Sequence, residues 1–131
     1  KIFYVCGSTL TNDLKAKHII INKIEDYPLL IGSKYVQSFI GTTYKDIRKL
    51  LLQNEKVLFS GTPCQVAGLY AFLKKRYVGQ LFTVDLLCHG VPSPQIFKDY
   101  LNHLKSTHNA NVIDFKFRET RLASLSSNRQ I

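Results

Sequence analysis

The sequence has no long apolar run and no secretory pattern at its start. No stretch approaches the roughly 20 apolar residues that cross a bilayer. The first residues also do not follow the charged, apolar and small-residue order of a signal peptide. We therefore expect a cytoplasmic protein without membrane insertion.

Cysteine is scarce in the chain. The three cysteines among 131 residues, Cys6, Cys64 and Cys88, form an odd set without close spacing. Small secreted domains depend on dense disulfides, so this set excludes a disulfide scaffold and predicts reduced thiols or metal ligands. A structural zinc site commonly uses close Cys-x-x-Cys pairs, and the sequence contains none.

Nucleotide-loop signatures and acidic residues are also lacking. The glycines match neither Gly-x-Gly-x-x-Gly nor the phosphate-loop Gly-Lys-Ser/Thr. Only 9 Asp and Glu stand against 18 Lys and Arg, and the resulting formal net charge of +9 favours anionic partners. Because no recognition motif organises the scattered basic residues, we expect no nucleic acid. A phosphate-bearing cofactor or an acidic partner explains the excess of positive charge.

Strand-like and helix-like segments alternate along the chain. This alternation predicts an α/β fold with a mostly parallel, mixed central sheet that is flanked by helices, and an N-terminal hairpin at its edge. The predicted strands are residues 2–6, 18–21, 56–60, 81–87 and 112–117, with a brief extended stretch at 33–38. The predicted helices are residues 24–30, 43–53, 65–76 and 94–105.

The length of 131 residues is that of one ordinary domain. We expect residues 1–120 to form a single α/β domain. The chain opens directly on a strand-like segment without an initiator methionine, so we expect it to be a piece of a longer protein. Residues 121–131 are weakly patterned and are expected to form a frayed or unrelated tail.

Two of the cysteines follow predicted strands and come close to predicted helix starts. Pro63 and Pro94 suit the first helical turn, and Ser93 suits an N-cap. Because ligands collect at the carboxyl ends of strands in an open α/β sheet, we expect Cys64 and Cys88 at one rim. A thiol at a helix start suits a nucleophile or a metal ligand, whereas the alternative is that each packs as a small hydrophobe.

The residues next to Cys88 supply the other parts of a cysteine nucleophile site. His89 is a candidate base and Asp85 a candidate orienting carboxylate. Neighbouring side chains on a strand point to opposite faces, so Cys88 and His89 also have a divergent alternative. A structural hydrogen-bonding role for Asp85 is equally compatible with its place in an apolar strand.

A polar cluster follows Gly32. Residues 33–38 hold two hydroxyls, an ammonium, a phenol and an amide, which together suit a phosphate or the polar edge of a flavin. The alternative is an edge strand that is protected by a solvated lysine.

With these motifs the chain resembles the coenzyme F420 hydrogenase/dehydrogenase beta-subunit family. The resemblance covers about residues 5–118, and its matching stretches are 32–38 (GSKYVQS), 57–69 (VLFSGTPCQVAGL) and 85–93 (DLLCHGVPS). It implies a flavin and iron–sulfur oxidoreductase subunit in which FAD passes electrons between clusters and a soluble carrier or substrate. The implied partners are other redox subunits or an acidic electron carrier such as ferredoxin, and a small-molecule substrate.

The resemblance also implies roles for individual residues. Cys64 and Cys88 are implied ligands of a [4Fe–4S] cluster, whereas His89 and Asp85 are candidate catalytic residues from the nucleophile pattern described above. The implied flavin or substrate contacts are Ser33, Lys34, Tyr35, Gln37, Ser38, Thr62, Gln65 and Gly90. A ferredoxin-like cysteine-rich segment usually precedes this region in the family and is not in the sequence. We therefore expect the cluster to be incomplete or absent, and the isolated chain to be inactive.

Two other functions are compatible with the residues. One is a cysteine-nucleophile transferase or hydrolase that uses Cys64 or Cys88 with His89 as base. The other is a non-catalytic subunit whose basic surface binds an acidic redox partner.

Overall fold

A computed structural model describes residues 3–118 of the 131-residue chain. The strands are β1 (Phe3–Leu10), β2 (Ala16–Ile21), β3 (Lys56–Gly61) and β4 (Leu81–Asp85). The helices are α1 (Thr43–Leu52), α2 (Pro63–Leu73) and α3 (Pro94–His108), with a 3-10 helix at Ile24–Leu30. No helix within these described residues is long and apolar enough to cross a membrane.

The four strands form one mixed sheet in the order β2-β1-β3-β4. The β1–β2 hairpin is antiparallel and lies at one edge of the sheet. The pairs β1–β3 and β3–β4 are parallel. Parallel neighbours need crossover connections, and the segments that contain α1 and α2 supply them. The predicted α/β class, the mixed sheet and the edge hairpin are confirmed.

Helices α1 and α2 share one hydrophobic core with the sheet. In β3 alternate residues are buried, as a pleated strand with one covered face requires. The core contains Cys6, Ile47, Leu51, Val57, Phe59, Val66, Leu69 and Leu73. This packing anchors β3 and α2, and with them the turn that carries Cys64.

Two of the predicted strands are corrected by the structure. Segment 81–87 was predicted to be a buried strand, but β4 ends at Asp85 and lies at the edge of the sheet. Phe82 is 42% exposed and Leu87 is 100% exposed. No strand forms at 112–117, since Phe115 and Phe117 pack against Phe97 of α3 instead of pairing with the sheet.

The remaining predicted elements differ from the observed ones mainly at their ends. Residues 33–38 are not assigned to a strand or a helix. Ser93 caps α3 as predicted, because its Oγ accepts a hydrogen bond from the Gln95 N–H at 3.1 Å. The predicted tail at 121–131 lies outside the described residues.

Candidate functional site

A cavity of about 680 Å³ lies at the carboxyl ends of β3 and β4. Its walls come from the segment after the 3-10 helix, the end of β3 and the loop after β4, while β1 and His18 form part of its floor. We call it the edge cavity. Its volume falls within the roughly 300–1,000 Å³ that small-molecule sites occupy.

The structure brings most of the predicted site residues to this cavity. The predicted residues that line it are Ser33, Lys34, Tyr35, Thr62, Cys88, His89 and Gly90. The predicted residues that do not line it are Gln37, Ser38, Cys64, Gln65 and Asp85. Three separate loops therefore converge, as expected for the crevice of an open α/β sheet.

The turn that carries Cys64 is held by a capping box. Thr62 is the N-cap of α2 and Pro63 occupies its first turn. The Thr62 N–H donates to Gln65 Oε1 at 3.0 Å, while the Thr62 side chain accepts from the backbone of Gln65. Cys64 is exposed in this turn, and its Sγ lies 3.1 Å from Thr62 Oγ1.

Gln65 joins this turn to two other segments. Its Nε2 donates to the carbonyl oxygen of Ser38 at 3.3 Å, and its own carbonyl accepts from the Tyr44 hydroxyl at 2.7 Å. Gly61 makes room for the Gln65 side chain, because a Cβ at Gly61 would lie 3.1 Å from Gln65 Oε1 and 2.8 Å from the Phe59 ring. In this structure Gln65 and Ser38 therefore position the loops around the cavity and do not line it.

His18 is a cavity residue that sequence reasoning missed. Its Nε2 lies 3.2 Å from the carbonyl oxygen of Ser60, and its Nδ1 lies 2.8 Å from Ser38 Oγ. Since a carbonyl only accepts, the neutral ring carries its proton on Nε2 and accepts from Ser38 at Nδ1. Burial lowers the pKa of His18, and the bond to the Ser60 carbonyl partly opposes this shift. The only local signal that could have identified His18 is its place at a position of β2 that faces the interior.

Two further missed residues, Cys6 and Ser8, contribute to the floor of the edge cavity. Cys6 is fully buried, and burial raises the pKa of its thiol to about 12. The buried Oγ of Ser8 has no hydrogen-bond partner among residues 3–118. A buried polar atom without a partner is uncommon and calls for an explanation, such as a bound molecule or water at this place.

Lys34 brings a positive charge to the cavity wall. Its Nζ donates to the carbonyl oxygens of Leu30 at 3.1 Å and Ile31 at 2.8 Å. Burial lowers the pKa of this ammonium group. Because an ammonium has three N–H groups and two are used here, one donor is left for a ligand.

The loop after β4 places Cys88 and His89 at the cavity. The Gly90 N–H donates to Cys88 Sγ at 3.3 Å. Gly90 has a φ of +103°, a backbone conformation that residues with a Cβ rarely adopt. The Gln37 N–H donates to the Pro92 carbonyl at 3.3 Å, so a backbone bond joins this loop to segment 33–38.

The cysteine nucleophile site is not assembled within the described residues. Asp85 is exposed and does not line the cavity. No hydrogen bond joins Asp85, His89 and Cys88 in residues 3–118.

A complete cluster site is also missing from the described part of the chain. Residues 3–118 contain no group of three or more His, Cys, Asp or Glu side chains that fits a metal ion. A [4Fe–4S] cluster commonly takes about four thiolates, and the third cysteine, Cys6, is fully buried. These residues alone therefore do not fit a complete cluster, although Cys64 and Cys88 are both exposed thiols.

A comparison with protein families shows a match over residues 54–130 to the family described as the C terminus of the coenzyme F420 hydrogenase/dehydrogenase beta subunit. The chain belongs to this family. The matched range contains the two cysteine motifs, whereas the polar cluster at 33–38 precedes it. It also includes residues 121–130, where the sequence had led us to expect a frayed or unrelated tail.

Membership describes the protein as a domain of the F420 hydrogenase/dehydrogenase beta-subunit type, and thus of a redox enzyme subunit. A search of curated proteins found no match. The family match over residues 54–130 confirms the family resemblance that was seen in the two cysteine motifs.

Proposed function

We propose that this domain binds a flavin in the edge cavity and acts in electron transfer as part of an oxidoreductase subunit. One observation carries the proposal: the cavity joins a cationic wall to an unpartnered buried hydroxyl and has no carboxylate among its described lining residues. Such a site favours a ligand with acceptor groups and negative charge. FAD is the flavin that the family resemblance implies.

The residues of the cavity fit a flavin ring in chemical character. Apolar residues, among them Val5, Leu30 and Leu86, line it and suit an aromatic ring system. Polar side chains also line the cavity, and such groups fix the orientation of a ligand in cofactor sites. The unpartnered Oγ of Ser8 is one of these groups.

Lys34 is the residue that we expect to tune the bound flavin. FAD, when bound, supplies the hydride or electron chemistry, and the protein supplies orientation and electrostatics. A cation near the ring stabilises its reduced, negatively charged form. The two carbonyls of Leu30 and Ile31 hold the Lys34 ammonium in place, so this charge is preorganised at the cavity wall.

We propose that His89 and Thr62, on other walls of the edge cavity, also contact the ligand. Both line the cavity and both offer hydrogen-bonding groups to a ligand or substrate. We further propose that residues 1–120 form one functional α/β domain. The formal net charge of +9 of the 131-residue chain favours an acidic electron carrier or redox subunit as the protein partner.

Titration of the 131-residue chain with FAD tests the proposal. We expect saturable binding at one site per chain, measured by flavin fluorescence and absorbance. Lys34→Met should weaken FAD binding by about tenfold, because a charged hydrogen bond is lost. It should also lower the reduction potential of any FAD that remains bound.

Lys45→Met is the matched control, because Lys45 is exposed on α1 and does not line the cavity. It removes the same charge and should leave FAD binding unchanged. Absence of saturable flavin binding would refute the proposed function. Equal effects of the two substitutions would refute the role of Lys34.

A further inference from the structure

A second cavity, of about 720 Å³, lies at the opposite end of β4 from the edge cavity. Its lining comes from the end of α2 and the connection that follows it, and includes Leu81, the first residue of β4. We call it the α2–β4 cavity. The two cavities share no lining residue. Strand β4 has five residues and therefore spans about 16 Å between the two ends.

Three consecutive cations, Lys74, Lys75 and Arg76, line the α2–β4 cavity and are exposed. No Asp or Glu is among the described residues that line it. Helix α2 ends at Leu73 and has no basic residue in its last turn. Because the attraction of a helix dipole falls off within the last turn, it accounts at most for Lys74 at the C-cap. Lys75 and Arg76 therefore give the cavity a positive charge that α2 does not use.

The connection that carries these cations is anchored to the rest of the domain. Tyr77 packs against the hydrophobic core. The Gln80 side chain donates from Nε2 to the carbonyl oxygen of Leu51 at 3.3 Å and to Asn54 Oδ1 at 2.8 Å. The Lys75 ammonium lies 5.3 Å from the centre of the Tyr77 ring, in a cation–π contact. Such preorganised groups bind a partner at a lower entropic cost.

Apolar and aromatic groups stand beside the cations. Val78 and Tyr70 line the same cavity and are 89% and 41% exposed. The Tyr70 hydroxyl lies 3.2 Å from Thr83 Oγ1, which fixes the ring next to β4. Protein interfaces are enriched in tyrosine and arginine and combine an apolar centre with charged groups around it. A small inorganic anion uses the cations only, so the combination favours a protein segment.

We propose that the α2–β4 cavity is a docking site for an acidic protein segment that carries an apolar residue beside its carboxylates. The carboxylates pair with Lys75 and Arg76, of which Arg76 offers the paired N–H donors that match one carboxylate. The apolar residue contacts Val78 and the Tyr70 ring. This inference goes beyond the proposed flavin site, because a partner that is bound at this end of β4 leaves the edge cavity open.

Fluorescence anisotropy with a labelled peptide, Glu-Glu-Leu-Glu-Glu-Leu-Glu-Glu, tests the docking site on the 131-residue chain. We expect saturable one-to-one binding that weakens when salt is raised from about 50 to about 200 mM, because salt screens exposed charges. The same peptide with Gln in place of every Glu should not bind. Equal affinity for the two peptides would overturn the proposal.

A double variant, Lys75→Gln with Arg76→Gln, should weaken binding of the acidic peptide by about tenfold. The matched control is Lys98→Gln with Lys105→Gln, because both lysines are exposed on α3 and lie outside the cavity lining. It removes the same two charges and should leave the affinity within about twofold of the wild type. Equal weakening in the two double variants would show a general attraction to net charge and overturn the docking site.

Val78→Ser tests the apolar contact with little risk to folding, since this side chain is 89% exposed. It should weaken binding of the leucine-containing peptide by about threefold and leave a peptide with Ser in place of Leu unaffected. Inorganic tripolyphosphate is the competitor that represents a small anion. Displacement of the acidic peptide by tripolyphosphate, together with unchanged peptide binding in Val78→Ser, would identify a small-anion site and overturn the proposal.

The peptide titrations need no flavin, so they separate the docking site from the proposed function. Peptide binding by a chain that does not bind FAD would refute the proposed function and support the docking site. FAD binding by a chain that does not bind the acidic peptide would refute the docking site and support the proposed function.

Discussion

The imidazole of His18 stacks on the ring of Phe59, with centroids 5.3 Å apart and an angle of 16° between the planes. Phe59 is fully buried in the core, whereas His18 also lines the edge cavity. The pair therefore joins the hydrophobic core to the candidate site. The two ring nitrogens of His18 connect Ser38 with the end of β3.

We predict that His18→Ala destabilises the fold by about 2 to 4 kcal/mol, because it opens a void against Phe59 and leaves the Ser38 hydroxyl and the Ser60 carbonyl without this partner. Urea unfolding measures the change. His103→Ala on the exposed surface of α3 is the control and should stay within about 0.5 kcal/mol of the wild type. Similar losses in both variants would contradict the role of His18.

The stability of the domain should fall as the pH is lowered through the region below 6.5. Burial lowers the pKa of His18 from its ordinary value of 6.5 in the folded state, so the unfolded chain takes up the proton first. The contribution of His18 is therefore present above pH 6.5 and is lost as the pH falls towards the folded-state pKa. Urea midpoints over this range measure the slope.

His18→Gln is the control for the pH effect, because it keeps a donor and an acceptor without a titrating ring. It should show a flatter slope than the wild type in the same pH region. Identical slopes would mean that His18 does not contribute to the pH dependence.

Thiol labelling should divide the three cysteines into two classes. Cys64 and Cys88 are exposed, whereas Cys6 is buried and has a pKa raised to about 12. Because the thiolate is the reactive form, we expect two thiols per native chain to react rapidly and the third to react only after unfolding. A Cys64→Ser, Cys88→Ser double variant should show no rapid phase, and rapid labelling of that variant would disprove the prediction.

Gly61→Ala should destabilise the domain by about 1 to 3 kcal/mol, because the new Cβ would lie 2.8 Å from the packed Phe59 ring. The displaced Gln65 side chain would also weaken the capping box. Gly7→Ala is the matched control, since its Cβ would meet Leu30 at an ordinary 3.5 Å. Thermal unfolding of both variants tests the difference, and equal stability of the two would exclude the steric explanation.

Local signals predicted much of the fold. The apolar periodicity of α1 correctly indicated its buried face, where Ile47 and Leu51 are 0% and 2% exposed. Proline and serine at helix starts correctly indicated the first turns of α2 and α3. These features depend on neighbours within a few residues, so the sequence alone contains the necessary information.

The two incorrect strand predictions concern features that depend on contacts between residues far apart in sequence. Segment 112–117 has the composition of a strand, yet Phe115 and Phe117 pack on α3. The sequence does not predict this packing, because no local pattern specifies which surface an apolar residue contacts. Segment 81–87 was expected to be buried, and its exposure follows from the place of β4 at the sheet edge. Strand order depends on contacts between residues far apart in sequence.

For the candidate site, the sequence by itself determined the motifs: two cysteine loops that each follow a strand, and a polar cluster after Gly32. Only the tertiary structure decided which of their side chains meet. It brought Cys88 and His89 to the cavity with Lys34, left Asp85 and Cys64 outside its lining, and added His18 and Ser8 from the hairpin. The physical reason is that residue type and local spacing favour strands, turns and caps, whereas sheet order, register and long-range packing determine which loops share one cavity.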